Sequence, residues 1–145
     1  MGIAIKGRGA TSHLAGRFES TVSEVVHDDW DIGESEDFPA PRLRTEVRAE
    51  TARSIISRNT SPDIGFSQSV NPYRGCEHGC SYCFARPSHA YLNLSPGLDF
   101  ETKLFAKTNA PQLLRREFSR PGYVPQPIAL GINTDAYQPI ERKFK

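Results

Sequence analysis

Long hydrophobic runs are missing from this sequence. No stretch approaches the ~20 consecutive apolar residues that a membrane-spanning helix needs, and the mean hydropathy is −0.51. Residues 1–6 also lack the apolar run of a secretory signal peptide. These absences exclude an integral membrane protein and lead us to expect a cytoplasmic one without a membrane partner.

Cysteine is scarce as well. The chain has three cysteines, and all of them lie within residues 76–83. An odd number of closely spaced cysteines, in a chain without an export signal, does not form a disulfide framework. The cysteines therefore indicate a metal or iron–sulfur site.

Neither sign of charge dominates. The 145 residues carry 18 Lys and Arg against 17 Asp and Glu, a net charge of +1. Residues 71–145 are mildly basic, but not enough to require a nucleic-acid partner. Several arginines of this half could follow a nucleic-acid backbone, although a solvated face is the favoured interpretation. They are Arg74, Arg86, Arg115, Arg116 and Arg120.

The first part of the chain, residues 1–65, has little periodic apolar pattern. We interpret it as a loop-rich N-terminal extension, with an acidic solvated loop over residues 27–37. Within it, residues 45–58 predict one helix, because Thr45 can cap it and Glu46 and Glu50 favour its N-terminus.

The second part, residues 66–145, begins with an extended segment that leads into the cysteines. Residues 66–73 are predicted to be extended. Residues 75–83 are then predicted to form a loop, in which Gly75 and Gly79 let the backbone turn tightly.

Residues 98–145 predict a strand, a helix and a second strand. Residues 99–107 alternate as a half-buried strand does, and residues 127–132 are wholly apolar, which is typical of a buried parallel strand. Between them, Thr108 or Asn109 can cap a helix that Pro121 and Gly122 end. This order predicts a right-handed parallel β-α-β unit.

The spacing of the cysteines is Cys-x3-Cys-x2-Cys. Thiolates select zinc, copper(I) or iron–sulfur clusters. A [4Fe–4S] cluster normally takes four cysteines, so three would leave one iron open to a small molecule. The main alternative is a structural zinc site with His78 or His89 as its fourth ligand.

The motif Cys76-Glu77-His78-Gly79-Cys80-Ser81-Tyr82-Cys83 resembles the cluster-binding motif of the radical S-adenosylmethionine (SAM) superfamily, with an aromatic residue before the third cysteine. Residues 71–80 are similar to the branch that contains spore photoproduct lyase and proteins described as DNA repair photolyases. Residues 99–103 and 131–141 also match that branch, and the resemblance covers roughly residues 42–145.

The resemblance implies an α/β fold, the N-terminal portion of a partial (β/α)6 barrel that is similar to a TIM barrel. It also implies that Cys76, Cys80 and Cys83 bind a [4Fe–4S] cluster and that SAM occupies the open iron. An electron from the cluster would then generate a 5′-deoxyadenosyl radical, which abstracts hydrogen from the substrate. The resemblance further implies a flavodoxin- or ferredoxin-type electron donor, and it suggests nucleic acid as the substrate.

The resemblance also assigns residues to SAM. Tyr82 would pack near the adenine, and Lys103 would contact the methionyl carboxylate. The three residues expected to contact the methionine amino group are Asn133, Thr134 and Asp135.

The length of the chain departs from this family. Six β/α units need about 200 residues, by scaling from the roughly 250 of an eightfold barrel, but only 62 residues follow Cys83. We therefore expect the N-terminal part of an enzyme, truncated after the second β/α strand, with its catalytic residues beyond Lys145. The alternatives are a zinc-binding interaction module and an inactive, truncated cluster-binding protein.

Overall fold

Residues 8–10, 12–14, 16–18 and 43–144 are described by a computed structural model. Two three-stranded sheets and a few short helices make up this part of the chain. The predicted acidic loop, residues 27–37, lies outside the described residues. Among the residues described, no helix has the length and apolar character needed to cross a membrane.

The first sheet is built around strand β5 (Lys103–Lys107). Strand β1 (Glu46–Glu50) pairs with β5 in parallel, so that Val47 lies opposite Leu104. On its other side, β5 pairs antiparallel with β4 (Tyr73–Arg74). Sheet order is therefore β1-β5-β4.

The second sheet is built around strand β3 (Gln68–Val70). Strand β2 (Ile56–Arg58) pairs with β3 antiparallel, and β6 (Ile128–Leu130) pairs with β3 in parallel. The predicted extended segment 66–73 is thus confirmed, and it contributes a strand to each sheet.

The helix predicted for residues 45–58 is wrong, because β1 and β2 occupy this segment. The prediction was based on a possible N-cap at Thr45 and on acidic residues near the helix start. In the structure, Val47 packs against a cluster of buried apolar side chains, whereas the residues on either side of it do not. The side chains of Glu46 and Arg48 bond to each other at 2.8 Å, as residues two apart on one face of a strand can.

Helix α1 (Leu98–Thr102) precedes β5, and helix α2 (Ala110–Phe118) follows it. The strand predicted over residues 99–107 is therefore confirmed only for its second half. Helix α2 is confirmed, with Asn109 at its N-cap position. The Asn109 side chain does not cap the helix. It bonds instead to the backbone N–H and carbonyl of Ala52, at 2.9 and 2.8 Å.

The predicted barrel is contradicted. Strands β5 and β6 lie in different sheets, so the strand–helix–strand order does not form the expected parallel unit. A (β/α)6 barrel needs a continuous run of parallel strands, but β4 runs antiparallel to β5 and β2 runs antiparallel to β3. Residues 45–58 supply strands to both sheets where the prediction had placed a helix outside them.

Two apolar clusters hold these sheets. One joins Tyr73, Leu104, Ala106 and Ile140. The other joins Ile55 and Val70 to Ala110 and Leu113 of helix α2. A 3₁₀ helix (Arg86–Leu92) and a short helix α3 (Glu141–Phe144) complete the described elements.

Candidate cluster-binding site

The cysteine loop, residues 75–83, starts where strand β4 ends. Gly75 has a φ of 77°, and a Cβ placed there would lie 2.6 Å from Leu104 Cδ2 and 2.8 Å from the Phe100 carbonyl oxygen. The backbone N–H of Cys76 donates to that same carbonyl at 2.9 Å. Only glycine can bring the chain this close to helix α1, so the predicted turn at Gly75 is confirmed.

Gly79 turns the loop a second time, with a φ of 65°. Its Cα faces the Glu101 carboxylate and the N-terminal segment, which here means residues 8–10. An added Cβ would lie 3.0 Å from Glu101 Oε2 and 3.1 Å from Gly9 N. The predicted role of Gly79 is confirmed as well.

All three cysteines line one cavity of about 590 Å³. Cys76 is buried, Cys83 is partly buried and Cys80 is exposed. Residues of the loop that follows strand β6 also line this cavity, and they include Asn133, Thr134 and Asp135. Two segments that lie far apart in the sequence thus meet at one place.

The thiols are not arranged around one point. Within the described ranges, no three His, Cys, Asp or Glu side chains are close enough together to hold a single metal ion. In a mononuclear zinc site the sulfurs would be about 3.8 Å apart, because each lies ~2.3 Å from the metal. A [4Fe–4S] cluster differs from such a site in that each thiolate binds a different iron.

Burial raises the pKa of the Cys76 thiol, and hydrogen bonds from the backbone N–H groups of His78 and Asp135 oppose this effect. Hydrogen bonds to cysteine sulfur are one of the means by which proteins stabilise and tune iron–sulfur clusters. Backbone donors aimed at the sulfur of a buried cysteine therefore fit a thiolate ligand.

The loop after β6 is anchored beside the cysteines by its own polar groups. The backbone N–H of Asn133 donates to Asn71 Oδ1 at 2.9 Å, and the buried Thr134 hydroxyl donates to the Tyr73 carbonyl at 3.0 Å. Asp135 remains half-exposed, and its Oδ2 lies 3.1 Å from His78 Nε2. Of the residues predicted to contact the methionine amino group, Thr134 therefore uses its hydroxyl in a hydrogen bond within the protein, while the Asp135 carboxylate faces the cysteine loop.

The structure places Tyr82 and Lys103 outside the residues that line the cavity. Tyr82 is 89% exposed between Cys80 and Cys83. Lys103 Nζ forms an ion pair with Asp99 Oδ1 at 3.0 Å. The contacts predicted for these two residues with SAM remain predictions.

The histidines offered as zinc ligands lie in different surroundings. His89 is fully buried, its Nε2 lies 2.8 Å from the Lys103 carbonyl oxygen, and its ring packs edge-on against Phe100. It does not line the cavity of the cysteines, whereas His78 does.

Gln138, which no motif in the sequence singles out, is fully buried and bonds to the backbone on both sides of Cys76. Its Nε2 donates to the Gly75 carbonyl and its Oε1 accepts from the Glu77 N–H, both at 3.1 Å. Gln138 belongs to the matched segment 131–141, but nothing in the sequence pattern shows that its amide reaches the cysteine loop.

The solvated face favoured for Arg86 is wrong. Its side chain is 12% exposed and pairs with the buried Glu101 carboxylate at 2.5 Å. No sequence signal indicates this burial, because an arginine three residues after a cysteine has no characteristic spacing with Glu101.

Comparisons with known proteins give relatives of unassigned function. The chain is 51% identical over 81 residues to uncharacterized proteins of Mycobacterium tuberculosis and Mycobacterium bovis, a match that covers 56% of this chain and 24% of theirs. It is 30% identical over 102 residues to an uncharacterized protein of Methanocaldococcus jannaschii, which covers 70% of this chain and 36% of that protein.

The chain thus spans about a quarter of the length of the mycobacterial relatives and about a third of the archaeal one. No protein-family model matches the chain. No solved structure matches it either.

Proposed function

We propose that this chain is the cluster- and SAM-binding segment of a radical SAM enzyme. The observation that carries the proposal is the single cavity shared by Cys76, Cys80, Cys83 and the polar loop 133–135. The cysteine spacing supplies three thiolates without a fourth, and the polar loop supplies groups that suit the amino group of an amino acid.

Each residue has a separate task under this proposal. Cys76, Cys80 and Cys83 would hold a [4Fe–4S] cluster, which when bound supplies the electron that cleaves SAM and so yields a radical able to abstract hydrogen. The carboxylate of Asp135 would accept a hydrogen bond from the SAM amino group, in competition with His78. Burial raises the pKa of the Cys76 thiol, and the backbone N–H groups of His78 and Asp135 act in the opposite direction.

The surroundings of His89 favour a cluster over a zinc site. Its ring packs edge-on against Phe100 and Phe105 and does not line the cavity of the three cysteines. A zinc site would therefore depend on His78, which lies between two of the cysteines in the chain and requires a cramped chelate.

Nucleic acid receives little support as the substrate. Of the five arginines that could follow its backbone, Arg74 pairs with Glu50 and Arg120 pairs with Glu117. The Arg86 side chain is largely buried and pairs with Glu101. The proposal therefore leaves the substrate unassigned.

The test is anaerobic reconstitution with iron and sulfide, followed by metal analysis and electron paramagnetic resonance of the reduced protein with and without SAM. We expect about four irons per chain and a signal that changes when SAM is added. The matched control is the variant with all three cysteines changed to alanine, which measures adventitious iron.

Two outcomes would contradict the proposal. One is a single zinc per chain with no iron above the control, which would indicate the interaction module. The other is a cluster signal that SAM leaves unchanged, which would indicate a cluster-binding protein that does not use SAM.

A further inference from the structure

The Arg86 guanidinium lies against the cysteine loop and donates hydrogen bonds both to this loop and to the residue before helix α1. Nε and Nη2 donate to the Cys80 carbonyl at 3.1 and 2.9 Å. Nη1 donates to the Gly97 carbonyl at 3.1 Å, and the guanidinium carbon lies 5.4 Å from the centre of the Phe100 ring. Arg86 thus ties the second cysteine to the start of helix α1.

The Cys80 carbonyl has a further donor within the loop. The backbone N–H of Cys83 donates to it at 3.3 Å. The Cys80 carbonyl oxygen therefore accepts hydrogen bonds both from the Cys83 N–H and from the Arg86 guanidinium. Losing the arginine removes the bonds that tie this oxygen to a residue outside the loop.

The Glu101 carboxylate holds the arginine in place. Glu101 is fully buried, and its Oε1 accepts from Arg86 Nη2 at 2.5 Å. It also accepts from the N–H groups of Ala10 and Gly9, at 2.8 and 3.1 Å. Two backbone donors and one cation satisfy this buried charge, as the desolvation cost of a buried carboxylate requires.

The same short N-terminal segment touches the cysteine loop directly. A Cβ at Gly9 would lie 1.7 Å from the Gly79 carbonyl oxygen, so the two backbones are in contact. Arg8 Nη1 donates to the Glu101 carbonyl at 3.0 Å and so fastens this segment to the end of helix α1. Glu101 thus links the N-terminal segment, the arginine and the cysteine loop.

We propose that Arg86, oriented by Glu101, is the positioning residue that sets the Cys80–Cys83 turn for cluster binding. This inference rests on the proposed function and adds a residue to it. Arg86 acts through backbone carbonyls and does not line the cavity of the cysteines. A lysine cannot replace it, because the three acceptors are bonded by different nitrogens of the guanidinium. The single nitrogen of an ammonium group cannot reach the Cys80 carbonyl, the Gly97 carbonyl and the Glu101 carboxylate together.

A double variant separates positioning from stability. Arg86→Met with Glu101→Gln removes both charges together, so that no unpaired charge stays buried, and the amide oxygen introduced by the second change can still accept from one of the two N–H groups, Gly9 or Ala10, that Glu101 binds. Arg86→Lys is the second variant. Arg120→Met is the matched control, since it removes an arginine from an exposed pair with Glu117.

The first readout needs no metal. We expect hydrogen exchange at the Cys83 amide of the metal-free protein to be about 10-fold faster or more in the double variant, while amides of strand β5 stay protected. The second readout is iron affinity during reconstitution, which we expect to fall ~10–100-fold, as is usual when groups that orient metal ligands are removed. Arg86→Lys should show both effects, and Arg120→Met neither.

The results distinguish the inference from the proposed function. Unchanged Cys83 exchange and iron affinity in the double variant would overturn the inference and leave the proposed function intact. If the unaltered chain binds no cluster, the proposed function fails, and this inference fails with it. If the double variant unfolds, Arg86→Lys decides, since a lysine variant with normal Cys83 exchange and iron affinity would overturn the assignment.

Discussion

The cysteine loop and the α2 region, which is helix α2 with the apolar residues packed against it, are held in place by different kinds of interaction. The α2 region packs Ala110 and Leu113 of the helix against Ile55 and Val70, so apolar contact holds it. The cysteine loop is held by buried polar groups, in which Arg86, Glu101 and Gln138 bond to backbone atoms.

This difference shows how one small protein can build both a scaffold and a site. Apolar burial has no direction, so packing tolerates a change of side chain when its volume is conserved. A hydrogen bond to a backbone atom fixes the position of that atom. The cysteine loop is therefore positioned mainly by hydrogen bonds from buried side chains, whereas the α2 region relies mainly on apolar packing and adds the bonds of Asn109 to the Ala52 backbone.

The largest effect is expected from the cysteines. Replacing Cys76 by alanine should abolish cluster assembly, because two thiolates cannot replace three, while the fold is retained. Iron and sulfide analysis after anaerobic reconstitution is the measurement, and Cys80→Ala and Cys83→Ala should give the same result. A Cys80→Ala variant that keeps about four irons and still cleaves SAM would contradict the ligand assignment.

The scaffold should respond in stability alone. Leu113→Ala removes a buried side chain of helix α2 and should lower the free energy of unfolding by about 2–5 kcal/mol. Urea unfolding of the metal-free protein measures this loss. Iron bound per folded molecule should stay at the level of the unaltered chain, and a parallel loss of iron would show that the two regions are not separable.

Two glycines with nearly equal φ angles sharpen the comparison. Gly75 has a φ of 77° and Gly122 a φ of 75°, but only Gly75 is enclosed, because nothing lies within 4 Å of a Cβ placed at Gly122. Gly122→Ala should cost about 1–2 kcal/mol, the usual cost of a left-handed residue. Gly75→Ala should cost about 2–5 kcal/mol, because overlap with Leu104 and Phe100 adds to it.

Thermal unfolding followed by circular dichroism compares these two variants. Equal losses of stability would mean that the cysteine loop can move away from helix α1 without cost. That result would contradict the close approach of Gly75 to Phe100.

The smallest effect concerns pH. Burial lowers the pKa of His89, with Arg74 acting in the same direction, whereas the Lys103 carbonyl and Asp99 oppose the shift. The unfolded chain therefore binds more protons than the folded one around the ordinary histidine pKa of about 6.5. The free energy of unfolding should accordingly decrease as the pH falls from above that value to below it.

Urea unfolding at several pH values measures this slope. His89→Gln should reduce the slope. An unchanged slope in His89→Gln would assign the pH dependence to other groups.

The sequence by itself determined the local features of this protein. The cysteine spacing, the turns at Gly75 and Gly79, helix α2 and the strand character of residues 103–107 and 128–130 follow from short-range patterns. Their physical basis is local, since glycine permits a positive φ and side-chain periodicity reflects backbone geometry.

Only the tertiary structure decided which strands pair and which polar groups reach the cysteines. Residues 45–58 form strands because β5 and β3 offer them partners, an interaction that no local propensity reports. Arg86, Glu101 and Gln138 are ordinary polar residues in the sequence. They become parts of the site because folding brings them to backbone atoms distant in the chain, where burial makes each hydrogen bond obligatory.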